Sequence, residues 1–307
     1  MQQTFLGRDI LGIQELPKND ILSILNQTNL LRESPRPNLL DGQIMASCFF
    51  EPSTRTRLSF ESAMHRLSGR VIGFSDSENT SVKKGESLHD TMKMVESYAD
   101  IVVLRHPFEG AARLAAETIQ IPVINAGDGA HEHPTQTLVD LYSIQESQGR
   151  LDELSILITG DLKYGRTAHS LALGLAHFRP RLYFVSPSAI EMPKHILDYL
   201  RSKSVRFSLH PSIREVIGKV DIAYFTRIQE ERFEHAVEAK EMRNNYTLTL
   251  NDLENVRSNL KILHPLPRVQ EIDRAIDASP YAGYFKQASH GVLIRQALLG
   301  LILGKLS

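Results

Sequence analysis

Short apolar runs recur along the chain, separated by longer stretches in which apolar positions return every three or four residues. The runs are Ile44–Phe50, Ile101–Leu104, Val123–Ile124, Ser155–Thr159, Leu182–Val185, Asp221–Tyr224 and Lys261–Leu263. They are the length of strands, and the stretches between them have the period of amphipathic helices. That alternation predicts βαβ units and an α/β fold of mostly parallel sheets flanked by helices. Near the C-terminus, Val292–Leu303 is interrupted by Arg295 and Gln296. It falls short of a membrane span and reads as a buried helix.

A chain of 307 residues exceeds the usual size of one core, which predicts two domains. The strand Ile44–Phe50 leads into Pro52-Ser53-Thr54-Arg55-Thr56, and Leu154–Thr159 leads into Gly160-Asp161-Leu162-Lys163-Tyr164-Gly165-Arg166-Thr167. Each half thus places an arginine just after a strand, where open α/β sheets bind their ligands. Two such halves facing each other would hold two ligands together, with the active site in the interdomain cleft. Polar residues Gln145–Arg150 end a helix before a new strand. The expected division is therefore 1–135, a linking helix over 136–149, and 150–287, with a last helix at about 288–304 packing back on the first domain.

Charge narrows the partners. Lys and Arg total 35 against 36 Asp and Glu, so no overall field draws nucleic acid or an anionic membrane. Anionic ligands must be held by local arginines. The single cysteine, Cys48, excludes an internal disulfide, a cysteine-ligated zinc site and a CxxC redox pair. The N-terminus Met1-Gln2-Gln3-Thr4-Phe5-Leu6-Gly7-Arg8-Asp9 has no basic region followed by an apolar run. Both features favour a cytoplasmic location.

The segment Phe49-Phe50-Glu51-Pro52-Ser53-Thr54-Arg55-Thr56-Arg57-Leu58-Ser59-Phe60-Glu61 opens a helix. Ser53 or Thr54 can cap it, and its free N–H groups, its dipole and the Arg55 guanidinium suit a phosphate. On residue types alone, a capped surface helix with solvated arginines fits equally well. The segment Gly160–Thr167 nearly matches a P-loop, but has Arg166 where that motif needs lysine; Asp221 is a weak candidate for its magnesium ligand. The polar loop Asn79–Ser87 reads by itself as solvated.

Taken together, these strings resemble the aspartate and ornithine carbamoyltransferases. Ser53–Arg57 with Ser59-Phe60-Glu61 is similar to their carbamoyl-phosphate signature. Arg105-His106-Pro107, His133-Pro134-Thr135-Gln136, Gly160–Thr167, Thr226-Arg227-Ile228-Gln229 and His264-Pro265-Leu266-Pro267 resemble the aspartate branch in order and spacing. The ornithine branch carries a His-Cys-Leu-Pro segment, and Pro265 stands here in place of its cysteine. The match runs from about Phe5 to Leu303.

The resemblance implies a transferase of pyrimidine biosynthesis that moves a carbamoyl group from carbamoyl phosphate to L-aspartate, without metal or organic cofactor. It assigns Ser53, Thr54, Arg55 and Thr56 to the phosphate, and Arg105 to phosphate and carbonyl oxygen together. Arg105, His133 and Thr56 would stabilise charge on that oxygen, and Gln136 would orient the amide. Arg166 and Arg227, helped by Gln229, would bind the two carboxylates of aspartate. The carbonyls of Pro265 and Leu266 would receive its amino group. Lys84 and a hydroxyl, Ser81 or alternatively Thr80, would enter the neighbouring subunit's site, making a homotrimer the functional unit. The strings Gly160–Thr167 and Arg105–Arg113 look most like relatives that also bind zinc-containing regulatory chains in a dodecamer. His290 stands where the family usually has asparagine, and is expected at a helix entrance rather than in the chemistry. The alternatives are transfer to another amine, such as ornithine, or a carbamoyl-phosphate-binding homologue without turnover.

Overall fold

The structure, a computed structural model, describes residues 5–76, 81–227 and 246–306. It divides into two compact units, the first of residues 1–138 and 289–307, the second of residues 139–288.

In the first unit, four strands form one parallel sheet: β1 (Ile44–Phe49), β2 (Arg70–Phe74), β3 (Ile101–His106) and β4 (Val123–Asp128), in the order β2-β1-β3-β4. Helices α2 (Thr54–Arg66), α3 (Leu88–Glu96) and α4 (Ala111–Thr118) connect them, and α1 (Lys18–Glu33) precedes them. Strands β1, β3 and β4 are buried along most of their length, as parallel strands covered on both faces must be. One core cluster packs Ala46, Cys48, Val102 and Leu104 against Met92, Ala112 and Ala115 of the helices. The outer edge of β4 is covered by the N-terminal segment: Ile10 donates to the Val123 carbonyl at 2.9 Å and accepts from Asn125 at 2.9 Å. Such cover removes an edge that could pair with other chains.

The second unit holds a five-stranded parallel sheet of order β7-β6-β5-β8-β9. Its strands are β5 (Ser155–Thr159), β6 (Arg181–Val185), β7 (Arg206–His210), β8 (Ile222–Phe225) and β9 (Lys261–Leu263), with α6 (Arg166–Leu175) and α7 (Lys194–Ser202) as crossovers. Two further helices span the unit boundaries in sequence: α5 (Pro134–Gln148) and α8 (Tyr284–Ile302).

The α/β class and parallel sheets expected from the sequence are present. Strands β2 and β7 were not among the predicted runs, and both lie at sheet edges with exposed positions. Half-solvated edge strands carry polar residues such as Arg70, Arg206 and Ser208, so no continuous apolar run marks them. The last helix begins at Tyr284, four residues before Ala288. His290 is therefore inside α8 and buried, not at its entrance, which corrects that expectation. No described helix is long and apolar enough to cross a membrane.

Strand order creates one topological switch point in each sheet. Beyond β1 the chain moves outward to β2, and β3 and β4 then build on the other side; in the second unit the same reversal falls between β5 and β8. Ligands of open α/β sheets bind beyond the carboxyl ends of the strands flanking such a point.

Cys48 lies inside β1, 1% exposed, and burial pushes its thiol up to about 12. Thiol reagents act on the thiolate. A neutral-pH titration with a chromogenic disulfide should therefore find Cys48 unreactive in the native chain and fully reactive in denaturant.

Candidate active site

In the first unit, α2 starts directly beyond β1. Ser53 occupies its N-cap with extended backbone (φ −157°, ψ 91°). Contrary to the capping expected of Ser53 or Thr54, the Ser53 side chain makes no cap hydrogen bond. The first-turn N–H groups of a helix have no partner within it, so Thr54, Arg55 and Thr56 form the positive end of α2. Thr56 is buried and Arg55 exposed. Partial desolvation lowers the pKa of the Arg55 guanidinium. Below this turn, Phe60 is fully buried, and Glu61 accepts a hydrogen bond from Ser47 of β1 at 3.2 Å, tying the helix to the sheet.

Arg105 reaches the same end of the sheet from β3. The β3–β4 register runs Leu104↔Asn125 and then His106↔Asp128, a bulge in β4 opposite Arg105. Bulges re-aim side chains. Here the Ala126 carbonyl accepts from Arg105 Nη1 at 3.2 Å, while Nη2 pairs with Glu51 at 2.7 Å. Glu51 falls within the helix-opening string, yet its partner is distant in sequence, so no local pattern announces this pair. The neighbouring His106 packs between the rings of Phe50 and Phe108 at 4.9 and 5.3 Å, and desolvation lowers its pKa.

His133 is buried just before α5, and its carbonyl accepts from the N–H groups of Gln136 and Thr137. The turn leading to it is locked by Asp128, which accepts from Asn125 at 2.8 Å, Gly110 at 2.9 Å, and His131 and Glu132 at 3.3 Å. Burial raises the Asp128 carboxyl, but the hydrogen bonds from His131, Asn125 and Gly110 outweigh it and leave the pKa below its ordinary value. Ser81 and Lys84 are exposed on a single 3-10 turn, Ser81–Lys84, between β2 and α3. Thr80 and Gln229 lie outside the described residues.

In the second unit, Arg166 and Arg227 follow β5 and β8, the strands that flank the switch point. Thr226 donates its backbone N–H and its hydroxyl to the Thr159 carbonyl at 2.8 and 3.2 Å, stitching these strand ends together. Gly160 permits this approach: its φ is +119°, and a Cβ there would lie 2.2 Å from the Thr226 carbonyl oxygen. At Gly165 a Cβ would likewise meet the Asp161 carbonyl at 2.2 Å, so the turn into α6 closes only without a side chain. Arg166 is the first residue of α6 and half-buried, whereas Arg227 is exposed.

Pro265 and Leu266 follow β9. Leu266 has φ +60°, a left-handed conformation costing a side-chain-bearing residue about 1–3 kcal/mol. It is held there by its N–H, which donates to His264 Nδ1 at 2.8 Å. Since Nδ1 accepts, the ring proton is on Nε2, which donates to Glu271 at 2.6 Å. Burial raises the Glu271 carboxyl, but His264 and backbone N–H groups outweigh this and hold it well below the ordinary range.

Two family models match the chain. One, the carbamoyl-phosphate-binding domain of aspartate/ornithine carbamoyltransferase, covers residues 8–146. The other, the Asp/Orn-binding domain of the same family, covers residues 152–302. The chain belongs to the aspartate/ornithine carbamoyltransferase family. Among solved structures of this family, it is similar to the catalytic subunit of M. jannaschii aspartate transcarbamoylase, at 46% identity and TM-score 0.91 over 97% of this chain and 98% of that one. It is also similar to T. cruzi aspartate transcarbamoylase in complex with N-(phosphonacetyl)-L-aspartic acid, at 36% identity and TM-score 0.92 over 97% of each chain. The T. cruzi enzyme in complex with carbamoyl phosphate and aspartate matches at 35% identity and TM-score 0.91, over 97% of this chain and 96% of that one.

The nucleotide-binding alternative fails on geometry as well as on family. Asp221 precedes β8 and accepts from Ser155 N–H, Asn259 and Arg257 at 2.9, 2.9 and 2.7 Å. It therefore sits at the amino ends of β5 and β8, opposite the Gly160–Thr167 turn, and is no metal ligand for it.

The Asp128–His131 pair has a measurable signature. Its hydrogen bond to Asp128 raises the His131 pKa, against the opposing effect of desolvation. A raised histidine stabilises the fold fully below its unfolded value of about 6.5, and that contribution is lost as pH rises through the folded value. An NMR titration should place His131 above 6.5, and Asp128→Asn should return it to that value or lower.

Proposed function

We propose that this chain transfers the carbamoyl group of carbamoyl phosphate to the amino group of L-aspartate, giving N-carbamoyl-L-aspartate and phosphate. The observation that carries the reading is the placement of arginine-bearing segments beyond the strands flanking both switch points, β1 and β3 in one unit and β5 and β8 in the other. The T. cruzi complex with both substrates supports the same chemistry for a relative of similar length.

In this reading the phosphate lies on the first turn of α2, with Ser53, Thr54, Arg55 and Thr56 as donors and Arg105 bridging phosphate and carbonyl oxygen. As the amine attacks, the carbonyl oxygen gains negative charge, and Arg105, His133 and Thr56 stabilise it more in the transition state than in the ground state. Gln136 orients the carbamoyl amide. Arg166 and Arg227, with Gln229, take the carboxylates of aspartate bidentately. The Pro265 and Leu266 carbonyls accept from its amino group, and the departing phosphate accepts the proton released on attack. Glu51 pairs with Arg105, so in this reading carbamoyl phosphate competes with that carboxylate for the guanidinium.

Arg105→Ala should lower kcat by about 100- to 1,000-fold, the usual loss on removing one oxyanion donor. Glu51→Gln removes the competing carboxylate and should lower the dissociation constant for carbamoyl phosphate. Steady-state kinetics and calorimetry read both; near-native turnover of Arg105→Ala would overturn its role.

The finer reading is a cytoplasmic homotrimer in which Ser81 (or Thr80) and Lys84 complete a neighbour's site, with zinc-containing regulatory chains joining two trimers into an allosteric dodecamer. Trimers reassembled from equal amounts of inactive Lys84→Ala and Arg105→Ala chains then contain one native site in each mixed ring. Activity should recover to about one quarter of wild type. Verified mixed trimers as inactive as either parent would exclude a shared site.

A further inference from the structure

The second unit contains a buried chain of hydrogen bonds centred on Asp140. This residue of α5 is fully buried, and its two carboxylate oxygens have different donors. Oδ2 accepts from the Tyr224 hydroxyl at 2.8 Å, and Oδ1 accepts from Gln287 Nε2 at 2.7 Å. Tyr224 is fully buried in β8, and the side chain of Thr167, the residue after Arg166, lies close enough to its hydroxyl to act on it. Gln287, in the first turn of α8, accepts the backbone N–H of His264 at 2.8 Å through Oε1. His264 in turn holds Leu266 N–H and Glu271. One carboxylate is thereby linked to α6 beside Arg166, to β8 three residues before Arg227, and to the segment carrying Pro265 and Leu266.

Packing alone would tolerate small slides between these segments, because apolar contacts are not directional. Hydrogen bonds are directional, and a carboxylate fixes two donors in its own plane. Burial and the nearby Asp140 both push the Tyr224 phenol well above its ordinary pKa, so it remains a donor. Register matters here because bidentate recognition is exacting: a misplacement of about 1 Å can cost on the order of 100-fold in rate.

We propose that Asp140 is a positioning residue for the amino-acid substrate. Its carboxylate sets the register of the Thr167, Tyr224 and His264–Leu266 segments, at which Arg166, Arg227 and the Pro265 and Leu266 carbonyls receive L-aspartate. The inference rests on the assignment of those groups to L-aspartate. Within it, Asp140 touches no substrate and acts through Tyr224 and Gln287.

The test uses the full-length chain, with KM for each substrate, kcat and thermal unfolding measured for wild type, Asp140→Asn, Tyr224→Phe and Thr167→Val. In Asp140→Asn the new amide turns one acceptor into a donor facing Tyr224 or Gln287. KM for aspartate should rise about tenfold in Tyr224→Phe, the effect of one lost hydrogen bond to a charged group, and further in Asp140→Asn. KM for carbamoyl phosphate should stay within about twofold, since its assigned groups lie in the other unit. Thr167→Val should raise the aspartate KM by a smaller factor. Lower melting temperatures with an unchanged aspartate KM would make the network merely structural and overturn the proposal. Should Asp140→Asn fail to fold, Tyr224→Phe and Thr167→Val decide it, and unchanged aspartate KM in both overturns it. Wild-type chain that forms no carbamoyl-aspartate would overturn the parent assignment and this inference together, an outcome visible before any variant is assayed.

Discussion

Parallel pairing obliges the chain to cross over and return to the same end of the sheet before each new strand begins. Every strand of a sheet therefore delivers its exit loop to one edge, and the loops on either side of a strand-order reversal diverge and leave room between them. The proposed chemistry uses this constraint twice. Strands β1 and β3 deliver the α2 turn and Arg105; β5 and β8 deliver Arg166 and Arg227. Local devices then adjust the aim, including the β4 bulge at Arg105, the approach of Gly160 to Thr226, and the left-handed Leu266 held by His264.

The electrostatic arrangement follows from the near-neutral composition. With no net field to draw anions, positive charge is concentrated at helix starts and strand ends. There the backbone adds its own partial charge, and burial of neighbouring groups strengthens each interaction. Carboxylates at Asp128, Asp140 and Glu271 are surrounded by donors and so act as fixed acceptors for the backbone and side chains around them. Three buried acids thus organise turns and loops that carry little apolar packing of their own.

Central strands were legible because they are apolar over most of their length, as in Ile44–Phe50 and Ser155–Thr159. The edge strands Arg70–Phe74 and Arg206–His210 were not, since solvent on one side relaxes the demand for apolar residues. The site strings were legible where their chemistry is local, as at Ser53–Thr56, His133–Gln136 and Gly160–Thr167. Pairings between segments distant in sequence left no local trace: nothing around Glu51 announces Arg105, and nothing around Asp140 announces Tyr224 or Gln287. The P-loop likeness of Gly160–Thr167 shows the converse, because a local pattern there suggested a partner, Asp221, that the sheet places at its opposite end.

If the α2 turn and Arg105 hold a phosphate as proposed, Glu51 gives them a selectivity that the arginines alone would lack. A carboxylate tethered to the same sheet competes for Arg105 at a high effective concentration, far above that of free anions in solution. Chloride, acetate or a lone metabolite carboxylate gains one contact and cannot match it. In the proposed reading a dianionic phosphate gains the α2 turn, Arg55 and Arg105 at once, and only such a multidentate ligand repays the broken pair. The internal ion pair would therefore work as a threshold on ligand valency, keeping the Arg105 guanidinium quiet in a solution crowded with small anions.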